Sequence, residues 1–492
     1  MVKPITWFGM ILLFLSCEKT SPETTLSIEY SGAKEGPVIL NRPVDGLIFP
    51  NINPDTLGFF EQGDLETTLN PGGSEWVMVR NPNKPLYLRV FPGESYGVEM
   101  SDTAVYFSGD NAAGQRFIHE WDRPMFTFDE SRKFKGDTSA ALLQAHMEEL
   151  KKPLGEKLEY LFAADSISEP FYQRLKQDLD YFFAKRTLRM ALKYGYGGKD
   201  VPEDFQRLID GIRKEFPLDV DPLPAYWMDY AEHWVIDYGI MQDVNEGRVT
   251  ADYLDSLYRL REQHGYVVDL ADRMLPESVK ERFLGSYLFL ATNRNNHEPQ
   301  LVTLFQEYRK EYPESPFHST LQPMVDEIIA FRQKAEAAAQ EDYRILETEK
   351  YPTLKEIIAK YPDQPLYIDM WATWCGPCKR EFAFNASADS LLADRGVKRV
   401  YISVDDPNTR PKWLKDIRGF ELVGDHLLAS EGFQNHFMDN YTERKGYMSI
   451  PQYLLVDGNG QILDVQAPAP SEQEALEQAL SGPEFRKIEI KK

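Results

Sequence analysis

The chain has 492 residues, enough for about three domains. Its hydrophobic fraction of 42% and aromatic fraction of 13% exclude a disordered chain and promise sizeable buried cores. The formal net charge of -23, from 78 acidic and 55 basic residues, excludes a nucleic-acid binder working through a basic face.

Residues 1–16 read as an address. Lys3 precedes an apolar run, Ile5 to Leu15, that is too short for a membrane-spanning helix of about 20 residues. Cys17 ends this run, and the text turns polar at Glu18-Lys19-Thr20. This boundary resembles a bacterial lipoprotein signal. The resemblance implies lipidation at Cys17, a membrane anchor, a linker over 17–25, and a cell-envelope location facing the periplasm or cell surface.

Residues 26–115 predict a β-rich, sandwich-like domain with antiparallel strands. Leu26-Ser27-Ile28-Glu29-Tyr30 and Leu86-Tyr87-Leu88-Arg89-Val90 alternate with period 2. Asn81-Pro82-Asn83-Lys84-Pro85, Pro71-Gly72-Gly73 and Pro92-Gly93 supply turns.

Residues 116–345 predict a central all-α domain. Leu143, Met147, Leu150, Leu154, Leu158 and Leu161 recur every 3 or 4 positions, and Thr250 is a candidate N-cap. Trp227, Tyr230, Trp234 and Tyr238 form an aromatic stripe with two readings, core packing or a groove for a client peptide. The alanine-rich stretch Arg332 to Glu341 predicts a long exposed helix leading into the last domain. Gly195-Tyr196-Gly197-Gly198-Lys199 lacks the Ser/Thr of a phosphate loop and reads as a turn.

Residues 346–492 alternate strands and helices, as an α/β sheet does. Leu366 to Trp371 and Val400 to Val404 are central strands; Asp457-Gly458-Asn459-Gly460 marks a hairpin, and Ser471 with Glu474 a capping box. Between the two central strands lies Trp374-Cys375-Gly376-Pro377-Cys378. A thiol attacks a disulfide as thiolate, and a strand-to-helix junction places Cys375 where free N–H groups and the helix dipole stabilise that anion. Cys378, one turn inside, is within bonding reach and more buried, so Cys375 is the attacker and Cys378 the resolver. Gly376 lets a partner chain approach closely. Pro377 fits the first turn, where no N–H is needed, and Lys379 adds a positive charge.

Ile368 to Lys379 closely resembles the active-site segment of the thioredoxin fold, specifically the TlpA/ResA-like thiol–disulfide oxidoreductases. The resemblance implies a redox disulfide between Cys375 and Cys378, Asp369 as a buried acid exchanging a proton with the resolving thiol, and Trp374 as a shield over the thiol. Ser449-Ile450-Pro451 resembles the family's cis-proline loop, which implies that Ile450 and Pro451 face the cysteines and bind client backbone. Gln452 stands where the family often has Thr, and Tyr401 about where thioredoxin has a lysine.

The fold class expected is therefore multidomain: a β-sandwich-like N-terminal domain, a central all-α domain and a C-terminal thioredoxin-like α/β domain. The expected function is a membrane-tethered oxidoreductase reducing envelope disulfides. Its partners are disulfide-containing client proteins and an upstream thiol electron donor, with no cofactor, no metal and no nucleic acid. Zinc would need two further ligands, which the eight histidines, His426 and His436 among them, do not supply in any paired pattern. A structural disulfide and a peroxidase are lesser readings. The main alternative is a redox-sensitive adaptor, in which the first two domains hold a partner.

Overall fold

The protein's structure, a computed structural model, describes residues 23–32, 37–45, 47, 54–59, 65–69, 71, 73, 75–80, 85–121, 139–195, 201–294, 297–337, 343–442, 447–482 and 485. The leader with Cys17, the turn at 81–84 and residues 196–199 lie outside the described residues. The chain divides into two units, Met1–Asn245 and Glu246–Lys492. The boundary falls inside the stretch that the sequence reads as one helical domain. Among the described residues no helix is long and apolar enough to cross a membrane.

Among the described residues the first unit opens with eight strands: β1 (Thr24–Tyr30), β2 (Pro37–Asn41), β3 (Pro54–Phe59), β4 (Leu65–Leu69), β5 (Glu75–Arg80), β6 (Leu86–Val90), β7 (Ser95–Met100) and β8 (Val105–Gly109). They form two four-stranded sheets, β4-β1-β7-β8 and β3-β2-β5-β6. Alternation decides which side chains go inward: Leu26 and Ile28 of β1 meet Val38, Leu40, Val77, Val79 and Leu88 of the other sheet in one core. The expectation of antiparallel strands fails at one place. β1 and β7 pair in parallel, Leu26 beside Tyr96. Five intervening strands give the chain the length to cross over, which a tight hairpin could not.

Among the described residues the helices that follow are α1 (Ala112–Trp121), α2 (Ala140–Ala163), α3 (Glu169–Leu192), α4 (Glu203–Glu215) and α5 (Trp227–Glu232), and a π-helical stretch, His233–Tyr238, leads into α6 (Gly239–Asn245). The aromatic stripe is core. Trp227 and Tyr230 are fully buried, and Trp234 and Tyr238 nearly so. Trp227 donates to the Leu218 carbonyl at 2.8 Å, Tyr230 to that of Phe216 at 2.7 Å, and Trp234 meets Tyr230 and Tyr238 edge-on. No ring is left to line a client groove. A buried charge pair ties strand to helix: Arg89 of β6 donates to Asp178 of α3, whose other oxygen accepts from the Ala225 amide at 2.7 Å. Gln115 of α1 brackets the same strand, accepting from the Arg89 amide and donating to its carbonyl.

The second unit begins with α7 (Ala251–Leu260), α8 (Gln263–Met274), α9 (Glu277–Thr292), α10 (Pro299–Glu311) and α11 (His318–Ala337). Thr250 caps α7, its hydroxyl accepting from the Tyr253 amide at 3.2 Å. The helix expected over 332–341 forms over its described part, Arg332 to Ala337, as the end of α11, with Gln333, Lys334, Glu336 and Ala337 exposed; residues 338–341 lie outside the described residues. α11 buries Leu321, Val325, Ile328, Phe331 and Ala335.

An α/β body completes the unit: β9 (Tyr343–Ile345), α12 (Leu354–Ala359), β10 (Leu366–Trp371), α13 (Gly376–Glu381), α14 (Asn385–Asp394), β11 (Lys398–Ser403), α15 (Arg410–Gly419), β12 (Gly424–Leu428), α16 (Glu431–Tyr441), β13 (Gln452–Val456), β14 (Ile462–Asp464) and α17 (Gln473–Ala479). The sheet order is β14-β13-β10-β11-β12-β9. β10, β11, β12 and β9 run parallel; β13 runs against them, and β14, antiparallel to β13, runs with them again. All six residues of β10 are buried, because helices cover both faces. α11 packs on α15 so closely that a Cβ on Gly419 would stand 2.2 Å from the Phe331 ring. The expected capping box at Ser471 does not form. Ser471 instead donates from its amide and hydroxyl to Glu381, at 2.9 and 3.0 Å, and Glu472 occupies the cap position.

Candidate active site

β10 carries alternate residues to opposite faces. Leu366, Ile368 and Met370 enter one core, while Tyr367, Asp369 and Trp371 face the other side. The chain leaves β10 through Ala372-Thr373-Trp374 and starts α13 at Gly376, with Cys375 as the N-cap. Cys375 and Cys378 are joined in a disulfide, their Cα atoms 5.3 Å apart. The Cys375 Sγ accepts from the Cys378 amide at 3.1 Å. An acceptor at this position is stabilised by the free N–H groups of the first turn, and a thiolate would be stabilised more than a neutral sulfur. Cys375 keeps 3% exposure and Cys378 none, while Trp374 stands 56% exposed beside them.

The cis peptide expected at Ile450-Pro451 is present. Ile450 packs on the same cluster as both cysteines, with Trp371, Phe382, Tyr401 and Trp413. Beyond it lies a groove of about 650 Å³ bordered by Tyr441, Ser449, Pro451, Gln452 and Tyr453.

Asp369 is fully buried, and neither of its oxygens has a hydrogen-bond partner among the described residues. Burial pushes its carboxyl from 3.8 up to about 7; the Arg399 guanidinium opposes this, and Glu381 and Asp389 add to it. Register places Tyr401 beside Asp369. The position is aromatic, so the cation comes from Arg399, two residues earlier on the same face of β11. That side chain is 5% exposed, pairs with Asp389 at 2.9 Å and also binds Asn385.

Lys379, which the sequence reads as a nearby positive charge, has its side chain in the interior. It is buried beside Asp416 at 3.6 Å, and desolvation lowers it to about 8. His426 is a core residue, stacked on Tyr401 and hydrogen-bonded to the Leu422 carbonyl; burial lowers it to about 4.

Two residues were given no role by the sequence reading. Asp405 is buried and accepts from the Thr373 amide and hydroxyl, both at 2.8 Å, and from Ser403 at 2.6 Å. Lys412 donates to the Thr373 carbonyl at 3.1 Å and to Asp416 at 2.8 Å. Together they clamp the turn that presents Cys375. The available signal was a carboxylate at the carboxyl end of a central strand, where α/β sheets place their sites.

Residues 334–480 match the Redoxin family. The C-terminal region is a Redoxin domain. The thiol-disulfide oxidoreductase ResA of Geobacillus thermodenitrificans is 23% identical over 107 residues, covering 21% of this chain and 55% of that protein. The thiol:disulfide interchange protein DsbE of Pasteurella multocida is 27% identical over 99 residues, covering 20% and 47%. The chain thus spans about half the length of the curated relatives it matches. Among solved structures, a thioredoxin-like protein from Bacteroides caccae aligns at 13% identity and a TM-score of 0.19, covering 49% of this chain and 92% of that one. The Redoxin domain holds both cysteines, Asp369, Arg399, Asp405 and Pro451.

Proposed function

We propose that this chain is a lipid-anchored thiol–disulfide oxidoreductase of the cell envelope that reduces protein disulfides. The observation carrying this reading is the Cys375–Cys378 disulfide at the start of α13, with the Cys375 sulfur hydrogen-bonded to the Cys378 amide. In the reduced state the Cys375 thiolate attacks a client disulfide. One client sulfur bonds to Cys375 and the other leaves as thiolate. Asp369 accepts the Cys378 proton, and the Cys378 thiolate then attacks Cys375. The client is released carrying two thiols, and two electrons have left the pair. The disulfide form of the structure is the product of this cycle, and an upstream thiol donor restores the dithiol.

The test is insulin reduction by the prereduced full chain. Turnover is expected, with Cys375 alkylated before Cys378 once the pair is reduced; a reduced chain whose Cys375 resists alkylation overturns the reading. The anchor is supported by the apolar run ending at Cys17. Cys17→Ala is expected to shift the chain from the membrane pellet to the soluble fraction.

Asp369 gives a pH dependence with a definite sign. Its folded-state pKa is raised, so between 3.8 and about 7 the folded state holds a proton that the unfolded chain has lost. Stability therefore falls as pH climbs through that window and is level above it. Asp369→Asn is expected to unfold later than the parent at pH 8, by about 2–4 kcal/mol. Its disulfide-exchange rate should also lose the inflection near pH 7. Unchanged pH profiles in the variant would remove Asp369 from the proton step.

A further inference from the structure

Beside the first turn of α13 lies a second cavity of about 220 Å³. Gly376 and Arg380 form one wall. Thr292, Arg294, His297 and Glu327, from the end of α9, the segment after it and α11, form the other. Nothing in the proposed exchange cycle uses it.

Three observations converge on what it would hold. Arg294 and Arg380 line it, both exposed, and neither has a carboxylate partner among the described residues. The Arg380 head lies over the active-site turn, its Nη1 3.8 Å from where a Cβ on Gly376 would stand. His297 is 5% exposed, and its buried Nδ1 has no hydrogen-bond partner among the described residues. Its ring is held still, stacked on Phe331 at 3.8 Å and with Nε2 3.6 Å from Glu327. Glu327 is thus paired with the histidine, and among the described residues two exposed guanidinium groups and one buried ring nitrogen are left without a counterpart.

Size narrows the choice. Sites for whole small molecules run from about 300 to 1,000 Å³, so this one suits a single side chain. A carboxylate matches a pair of guanidinium forks better than any neutral group. The cavity begins one residue from Cys375, so a group in it would sit next to a cystine under attack. We propose that this cavity is a specificity site for the carboxylate of an acidic residue flanking the client cystine. The chain's charge of -23 would repel an acidic client at long range. Salt screens that repulsion beyond about 8 Å, so selection would act only at contact.

This inference rests on the oxidoreductase reading, and the test separates the two. Two disulfide peptides of equal length carry Glu or Gln beside the half-cystine. The prereduced full chain is expected to exchange with the Glu peptide about tenfold faster, as a charge-assisted contact implies. In the double variant Arg294→Gln/Arg380→Gln the Glu/Gln rate ratio should fall to about 1. Equal rates in the parent, or a preference that persists in a folded double variant, overturn the proposal. Peptides with serine in place of cysteine, titrated into the oxidised chain, give a readout without turnover. The Glu form should shift the His297 ring resonances and the Gln form should not; absence of that difference also overturns it. If neither peptide is reduced, the oxidoreductase reading fails, and the titration alone decides the site.

Discussion

Cys375→Ser is expected to lower the rate of insulin disulfide reduction by at least about 1000-fold, because removing a nucleophile removes the whole covalent route. A serine hydroxyl at a helix start does not ionise near neutral pH, so the hydrogen bond from the Cys378 amide has no thiolate to stabilise. The loss would not come from unfolding. The disulfide closes a loop with a sequence separation of only 3, and constraining so short a loop adds little stability. The companion variant should behave differently. Cys378→Ser keeps the attacker but not the resolver, so the client stays linked to Cys375 and the mixed disulfide accumulates. Non-reducing gels and mass spectrometry of the trapped adduct read this directly. Substantial reduction by Cys375→Ser, or adducts forming at residue 378 in preference to 375, would reverse the assigned roles. The adaptor alternative is tested by the same gels, since a partner held equally by a double serine variant needs no sulfur chemistry.

Asp178→Ala is expected to cost the first unit about 3–5 kcal/mol, the range seen when one member of a buried ion pair is removed. Arg89 is 1% exposed and its Nε already lacks a partner among the described residues. Without Asp178 the guanidinium keeps its stacking over Trp76, centred 4.7 Å away, but loses its counter-charge, and the Ala225 amide loses its acceptor. For a unit of this size that penalty corresponds to a fall in Tm of about 10 °C. Replacing both partners by apolar residues, Arg89→Met with Asp178→Leu, should cost far less, because no charge is then left stranded. Circular dichroism melts of the full chain check both variants. A loss below about 1 kcal/mol in Asp178→Ala would mean that water reaches Arg89 and that the pair does not pin β6 to α3.

The clearest case of what a linear reading can and cannot reach is Asp369. Its place six residues before Cys375 on an apolar strand is visible in the sequence, and so is the family resemblance that assigns it a role. Its electrostatic surroundings are not. Arg399, Glu381 and Asp389 converge on it from a neighbouring strand and two helices, so its ionisation depends on distances between segments that are separate in sequence. Asp405 and Lys412 were given no role for the same reason. Each acts on Thr373 across more than 30 positions, and a lone Asp or Lys after a strand carries no local signal of its target.

Periodicity and turn chemistry read well where the interaction is local. The two central strands around the dithiol, the Thr250 cap and the hairpin at Asp457–Gly460 each depend on neighbours within a few residues. The capping box at Ser471 shows the limit, since Glu381 outbids the local partner from 90 residues away.

By itself the sequence located two sulfurs three residues apart at a strand-to-helix junction and, through a family resemblance, a proline loop expected to face them. Only the tertiary structure decided the company those sulfurs keep. It set β1 parallel to β7, turned the tryptophan–tyrosine stripe into core, joined the helices after Asn245 to the α/β unit, and left two arginines beside the reactive turn. The physical reason is one of range. Helix and strand formation respond to spacing along the chain, whereas burial and charge respond to whatever the fold brings within a few ångströms.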